Sequence, residues 1–106
     1  IIRARTSTGH TRMLDLNGKI AFIGGAGSIG AGWGNGKATA VLLARQGAKV
    51  FGTDRDPAAM DETRKIIEGE GGSFVAHPCD MTDSAAVKAA VDACIAKFGR
   101  IDILVN

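Results

Sequence analysis

Residues 18–36 hold eight of the chain's fifteen glycines. From Gly24 to Gly36 the glycines come so densely that little is left to hold helix or strand, so this part reads as a loop shaped by its flanks. On one side, Lys19-Ile20-Ala21-Phe22-Ile23-Gly24 is a short apolar run bounded by glycines, the pattern of a strand buried on both faces. On the other side a helical pattern begins, with Ala38, Val41, Leu42 and Arg45 expected on one face and Gly47 placed to end it. Strand, glycine loop and helix together open a β-α unit. That unit constrains the rest of the fold.

The remaining sequence repeats the alternation. Residues 49–53 read as a second strand, and Asp56-Pro57 is a helix start, N-cap followed by an N1 proline. Met60, Thr63, Arg64 and Ile67 mark that helix, and the glycines of residues 69–72 end it. A third strand covers residues 73–78. Thr82 or Asp83 can cap a third helix carrying Val87, Val91, Cys94, Ile95 and Phe98, which Gly99 closes before a fourth strand over residues 101–105. The order β-α-β-α-β-α-β with short connections implies an α/β fold of Rossmann type. It is a doubly wound parallel sheet with right-handed crossovers and helices on both faces, here its first part. The sequence stops directly after an apolar strand, so residues 13–106 are expected to be the N-terminal part of a single domain, cut after that strand.

Size and charge narrow the class. A chain of 106 residues is one domain. Its net charge of +2 is too small and too evenly spread to point to nucleic acid, and no apolar run has the length of a membrane span. Cys79 and Cys94 fall in no metal-ligand or disulfide pattern, so no metal is expected and a reducing, cytoplasmic setting fits. Residues 1–12, with three arginines and no acid, read as a leader or tag, with a targeting peptide as the alternative.

A parallel sheet of this kind binds ligands at the carboxyl ends of its strands, and its first strand-to-helix turn takes a pyrophosphate. Glycines there allow a tight turn, a close approach of backbone to phosphate and close packing of helix on strand, while the helix N-terminus offers unpaired N–H groups. Two registers compete. Gly25-Ala26-Gly27-Ser28-Ile29-Gly30 matches G-x-G-x-x-G literally. It also buries Gly30, Gly32, Gly34 and Gly36 in the helix, each at a cost of roughly 1 kcal/mol against alanine. The second register starts the helix near Gly34 and is preferred on that count.

In this second register the chain resembles the short-chain dehydrogenase/reductase family, with its T-G-x-x-x-G-x-G motif. Gly25 matches the first glycine, and Gly34 and Gly36 the later pair. Gly24 replaces the usual threonine, and residues 29–33 are an insertion. Asp54, at the end of the second strand, Cys79-Asp80-Met81 after the third, and Asp102-Ile103-Leu104-Val105-Asn106 at the fourth extend the resemblance. It implies a dinucleotide site made of Gly25, Ser28, Gly34, Asn35, Gly36, Asp54, Arg55, Asp80, Met81 and Asn106. Asp54 would accept hydrogen bonds from both ribose hydroxyls and repel a 2′-phosphate, so NAD is expected, with NADP less favoured and Arg55 leaving dual use open. Asp80 would accept from the adenine amino group, or else begin the cap of the next helix.

The same resemblance implies hydride transfer between NAD(H) and an alcohol or carbonyl substrate, in a homotetramer or homodimer. The family's Ser, Tyr and Lys would do the proton chemistry. The 106 residues contain no tyrosine, so no catalytic residue is assigned and these residues alone are expected to bind without turnover. His10 and His77 have no triad partners, Trp33 is expected to pack within the loop, and Lys37 is expected near phosphate or in solvent. Three alternatives stand beside this reading. One is an enoyl-thioester reductase (acting on an acyl-carrier-protein thioester) of the divergent branch, suggested by Ser28-Ile29 and Trp33. Another is a Rossmann dehydrogenase in the literal register. The third, from another class, is a methyltransferase or nucleotide sensor.

Overall fold

The computed structural model describes residues 15–27 and 35–105. Ser28, Gly34 and Asn106 of the expected site, the insertion at residues 29–33 and the leader at residues 1–12 lie outside them. Four strands, β1 (Ile20–Gly24), β2 (Lys49–Asp54), β3 (Ser73–Pro78) and β4 (Ile103–Val105), alternate with three helices, α1 (Asn35–Arg45), α2 (Pro57–Gly69) and α3 (Ser84–Phe98). The sheet order is β3-β2-β1-β4 and every pairing is parallel. The expected fold is therefore present, with β1 inside the sheet and β2 and β4 on either side of it.

Parallel pairing with helices on both faces explains why β1 is apolar throughout: consecutive side chains enter opposite cores. Ala21 and Ile23 of β1, Val50 of β2 and Phe74 of β3 pack with Ala40, Val41 and Leu43 of α1 and Met60 and Ile67 of α2. Ile20, Phe22 and Phe51 pack with Ala90 and Cys94 of α3. Phe22 and Phe51 stack with centroids 5.7 Å apart, and a fully buried phenylalanine contributes roughly 1.5–3 kcal/mol.

Helix ends follow the sequence signals. Asp56 caps α2, its side chain accepting from the Ala58 and Ala59 amides ahead of Pro57 at N1. Of the two candidate caps of α3, Asp83 has the role, accepting from Ala85 and Ala86, and Gly99 ends the helix at φ 84°. Helix α1 is described from Asn35; the residues that would decide between the two registers lie outside the described ones. Its buried face differs from expectation. Lys37, Ala40, Val41 and Leu43 are buried, whereas Leu42 is 55% exposed and Ala38 and Arg45 face solvent. Hydrophobicity pointed to Leu42; Val41 is buried as expected, but it is Ala40 and Leu43 that pack beside it in the core.

Candidate functional site

The carboxyl ends of the three neighbouring strands converge. Gly25 leaves β1 with φ +71°, a left-handed conformation that suits glycine, and a Cβ there would meet nothing within 4 Å. The Ala26 amide donates to the Thr53 carbonyl at 2.9 Å, and the Cys79 amide to the Asp54 carbonyl at 2.9 Å. These bonds continue the ladder past the strands and draw the segments after β1 and β3 against the end of β2. Between them lies a cleft of about 190 Å³, lined by Gly25, Asp54, Arg55, Cys79, Asp80, Met81 and Thr82. Five residues singled out from sequence meet here: Gly25, Asp54, Arg55, Asp80 and Met81.

Asn35 and Gly36 stand just behind, in the first turn of α1. A Cβ on Gly36 would land on the carbonyl oxygen of Gly25. Only glycine lets the first turn of α1 come this close to the end of β1.

Asp54 is held by backbone. Its Oδ2 accepts from the Gly27 amide at 3.1 Å and its Oδ1 from the Asp56 amide at 3.0 Å. The side chain is thereby oriented at the mouth of the cleft with lone pairs to spare. Asp80 accepts from both the hydroxyl and the amide of Thr82, at 2.6 and 2.9 Å. The Thr82 hydroxyl is the main reason its carboxyl lies below the usual carboxylate range, and nearby Arg55 adds to the effect. Asp80 therefore shapes a turn beside the cleft, while the helix cap belongs to Asp83. The Cys79 thiol is pushed up by burial first and by Asp80 and Asp83 second, and it forms part of the cleft wall.

Three residues around the site, two of them polar, have roles that were not visible in the sequence. Thr53, fully buried, donates to the Ile23 carbonyl at 3.2 Å and lies 3.1 Å from the Met81 sulfur. Thr63 of α2, also fully buried, donates to the Ala26 carbonyl at 2.9 Å. Gly52 has to be small because a Cβ there would strike the Phe74 ring and Ala26. A threonine amid the apolar positions of a strand or helix is the available signal, but it does not say which carbonyl the hydroxyl finds. Lys37 corrects an expectation. The solvated reading is overturned: its side chain is 7% exposed, with Nζ 3.8 Å from Glu62 of α2. His77 stacks on Phe51 at 5.5 Å, a packing role.

A larger cleft of about 340 Å³ opens at the opposite edge of the sheet, where α1 and α2 end. Its charged pair, Arg45 and Glu70, is bound to itself by two hydrogen bonds of 2.8 Å, and it contains none of the expected residues. Among the described residues no cluster of three or more His, Cys, Asp or Glu could hold a metal ion, and no helix is long and apolar enough to cross a membrane.

Comparison with known proteins bears on this arrangement. The family model described as short chain dehydrogenase matches residues 20–106. A D-threitol dehydrogenase of Mycolicibacterium smegmatis is 40% identical over 91 residues, 86% of this chain and 33% of the relative. The crystal structure of a Burkholderia xenovorans chain classed with the short-chain dehydrogenases/reductases superposes with a TM-score of 0.82 at 52% identity, over 86% of this chain and 36% of that one. A metagenomic short-chain oxidoreductase, solved in complex with NADP, superposes with a TM-score of 0.75 at 33% identity, over 83% and 38%. The chain thus spans about a third of the length of the relatives it matches.

Proposed function

The chain belongs to the short-chain dehydrogenase family, and from that premise we propose that it is the dinucleotide-binding part of an oxidoreductase that uses NAD(H) on an alcohol or carbonyl substrate. The observation that carries the reading is the placing of Asp54 at the end of β2, beside Gly25 and across the cleft from Asp80 and Met81. The cleft fits one end of a dinucleotide. Gly25 leaves room where a side chain would stand, and the fixed Asp54 carboxylate beside it supports the reading as the acceptor for a sugar diol.

When bound, the nicotinamide group supplies the hydride acceptor or donor. This chain's residues hold and orient it. Asp54 accepts from the ribose hydroxyls, and its charge opposes a 2′-phosphate. Asp80 and Met81 border the adenine, and Gly25, Ser28, Gly34, Asn35 and Gly36 present backbone to the pyrophosphate, with Asn106 at the end of β4 beside the cofactor. Arg55 lines the same cleft and softens the preference against NADP, the nucleotide found with the metagenomic relative. Two free, buried thiols suit a reducing cytoplasm, and a homotetramer or homodimer is the proposed assembly.

Calorimetric titration of the whole protein with NAD, NADP and S-adenosylmethionine tests the reading. NAD is expected to bind at least about tenfold tighter than NADP, because charge-assisted hydrogen bonds contribute more than neutral ones. Asp54→Ala is expected to abolish that difference. Preferential binding of S-adenosylmethionine, or a preference unmoved by Asp54→Ala, would sink it.

A further inference from the structure

We propose that Thr63, on α2 and outside the cleft, sets nucleotide selectivity by positioning Asp54 through a single peptide unit. The inference rests on the dinucleotide reading above. The carbonyl of Ala26 and the amide of Gly27 belong to one planar group, so neither can turn without the other. Thr63 Oγ1 donates to that carbonyl at 2.9 Å, and Asp54 Oδ2 accepts from that amide at 3.1 Å. The two side chains, from α2 and β2, hold opposite edges of the same plate.

The bond of Thr63 is a tertiary choice. A helical threonine has its own preceding turn within reach, and its hydroxyl commonly bonds a carbonyl three or four residues back. Here it reaches across to a residue 37 positions away. Thr63 and Ala26 are both fully buried, so water has no access to replace the bond. On the far side, an added Cβ at Gly27 would meet both Ala59 of α2 and the Asp54 carboxylate, so the plate lies tightly against both. Released from Thr63, it can rotate, and Asp54 loses the amide that aims its second oxygen. The carboxylate's charge remains but its geometry does not. Selectivity between a ribose diol and a ribose phosphate depends on that geometry.

The test is the ratio of dissociation constants for NADP and NAD, measured on the whole protein for wild type, Thr63→Val and Thr63→Ser. Thr63→Val, which keeps shape and removes the donor, is expected to lower the ratio about fivefold or more, on the order of one lost buried hydrogen bond. Thr63→Ser is expected to keep the ratio within about twofold of wild type, since it retains the hydroxyl. In an Asp54→Ala background, Thr63→Val is expected to change the ratio no further, the signature of two residues acting as one unit. A purely structural role predicts that both affinities fall together with the ratio intact, and that result overturns the proposal while leaving the NAD reading in place. A wild type that does not discriminate between the nucleotides overturns the NAD reading and this inference with it.

Discussion

The two edges of the sheet use one device for different ends. At the amino edge, Asp102 Oδ2 accepts from the Ile20 amide at 2.8 Å and from Arg100 Nε at 2.8 Å, while Arg100 also donates to the Gly18 carbonyl. At the carboxyl edge, Asp54 likewise accepts from backbone amides, but among the described residues no cation is paired with it. Arg100, which lowers the Asp102 carboxyl more than its bond to Ile20 does, closes the amino edge as a finished seam. Asp54 faces an open cleft with acceptor capacity left over. A carboxylate on an amide is therefore structural where its charge is answered from within the chain; where it is not, as at Asp54, it is the group proposed to bind.

That contrast predicts different signatures. Variants at the carboxyl edge should change nucleotide binding, whereas variants at the amino edge should change stability alone. The largest effect is expected at Gly36→Ala, whose methyl group would collide with the Gly25 carbonyl, a backbone atom with no rotamer to escape into. A loss of about 3 kcal/mol in chemical denaturation, with nucleotide binding gone, is the expected outcome. A variant of near-normal stability and affinity would break the account of how α1 meets the loop.

Gly25→Ala sharpens it. There the added methyl finds open space and only the positive φ opposes it, so the expected loss is about 1–2 kcal/mol. Nucleotide affinity should still fall, because the methyl enters the cleft. Asp56→Ala removes the cap of α2, the helix that carries Thr63, and is expected to cost about 1 kcal/mol. If the cap matters only to the helix, the NADP-to-NAD ratio stays unchanged.

Asp102→Asn tests the amino edge through pH. The folded carboxyl titrates below its ordinary value of 3.8, so its contribution is present above that value and is lost as pH falls through the lowered one. The variant should be less stable than wild type at neutral pH and converge with it in strong acid, with nucleotide affinity unaffected throughout. Urea midpoints taken across pH decide the matter, and a gap that persists in strong acid would mean that charge is not what Asp102 supplies. The smallest effect is expected from Arg45→Ala. It breaks a half-exposed ion pair with Glu70, so the unfolding midpoint should scarcely move and binding should not change.

Much of the architecture was legible because its signals are local. The alternating elements, Pro57 at N1, the cap at Asp56, a cap at Thr82 or Asp83 and the closing Gly99 each depend on residues a few positions apart. The convergence of Gly25, Asp54, Asp80 and Met81 was legible for a related reason. In a parallel sheet every strand ends on the same edge, so residues just past strand ends must meet. Leu42 was misjudged, and the burial of Lys37 was not foreseen, because burial of a helical residue depends on how the helix lies across the sheet, which its own sequence does not state.

By itself the amino-acid order determined a parallel α/β sheet and placed Gly25, Asp54 and Asp80 just past its strand ends, because periodicity, caps and strand-end position are properties of short segments. Only the tertiary structure decided that Gly36 must yield its Cβ to the Gly25 carbonyl, that Thr63 and Asp54 grip one peptide from two sides, and that Asp102 is answered by Arg100 while Asp54 opens on a cleft. The physical reason is distance along the chain. A buried hydroxyl or a missing methyl group has meaning only against the atom that packing brings to it.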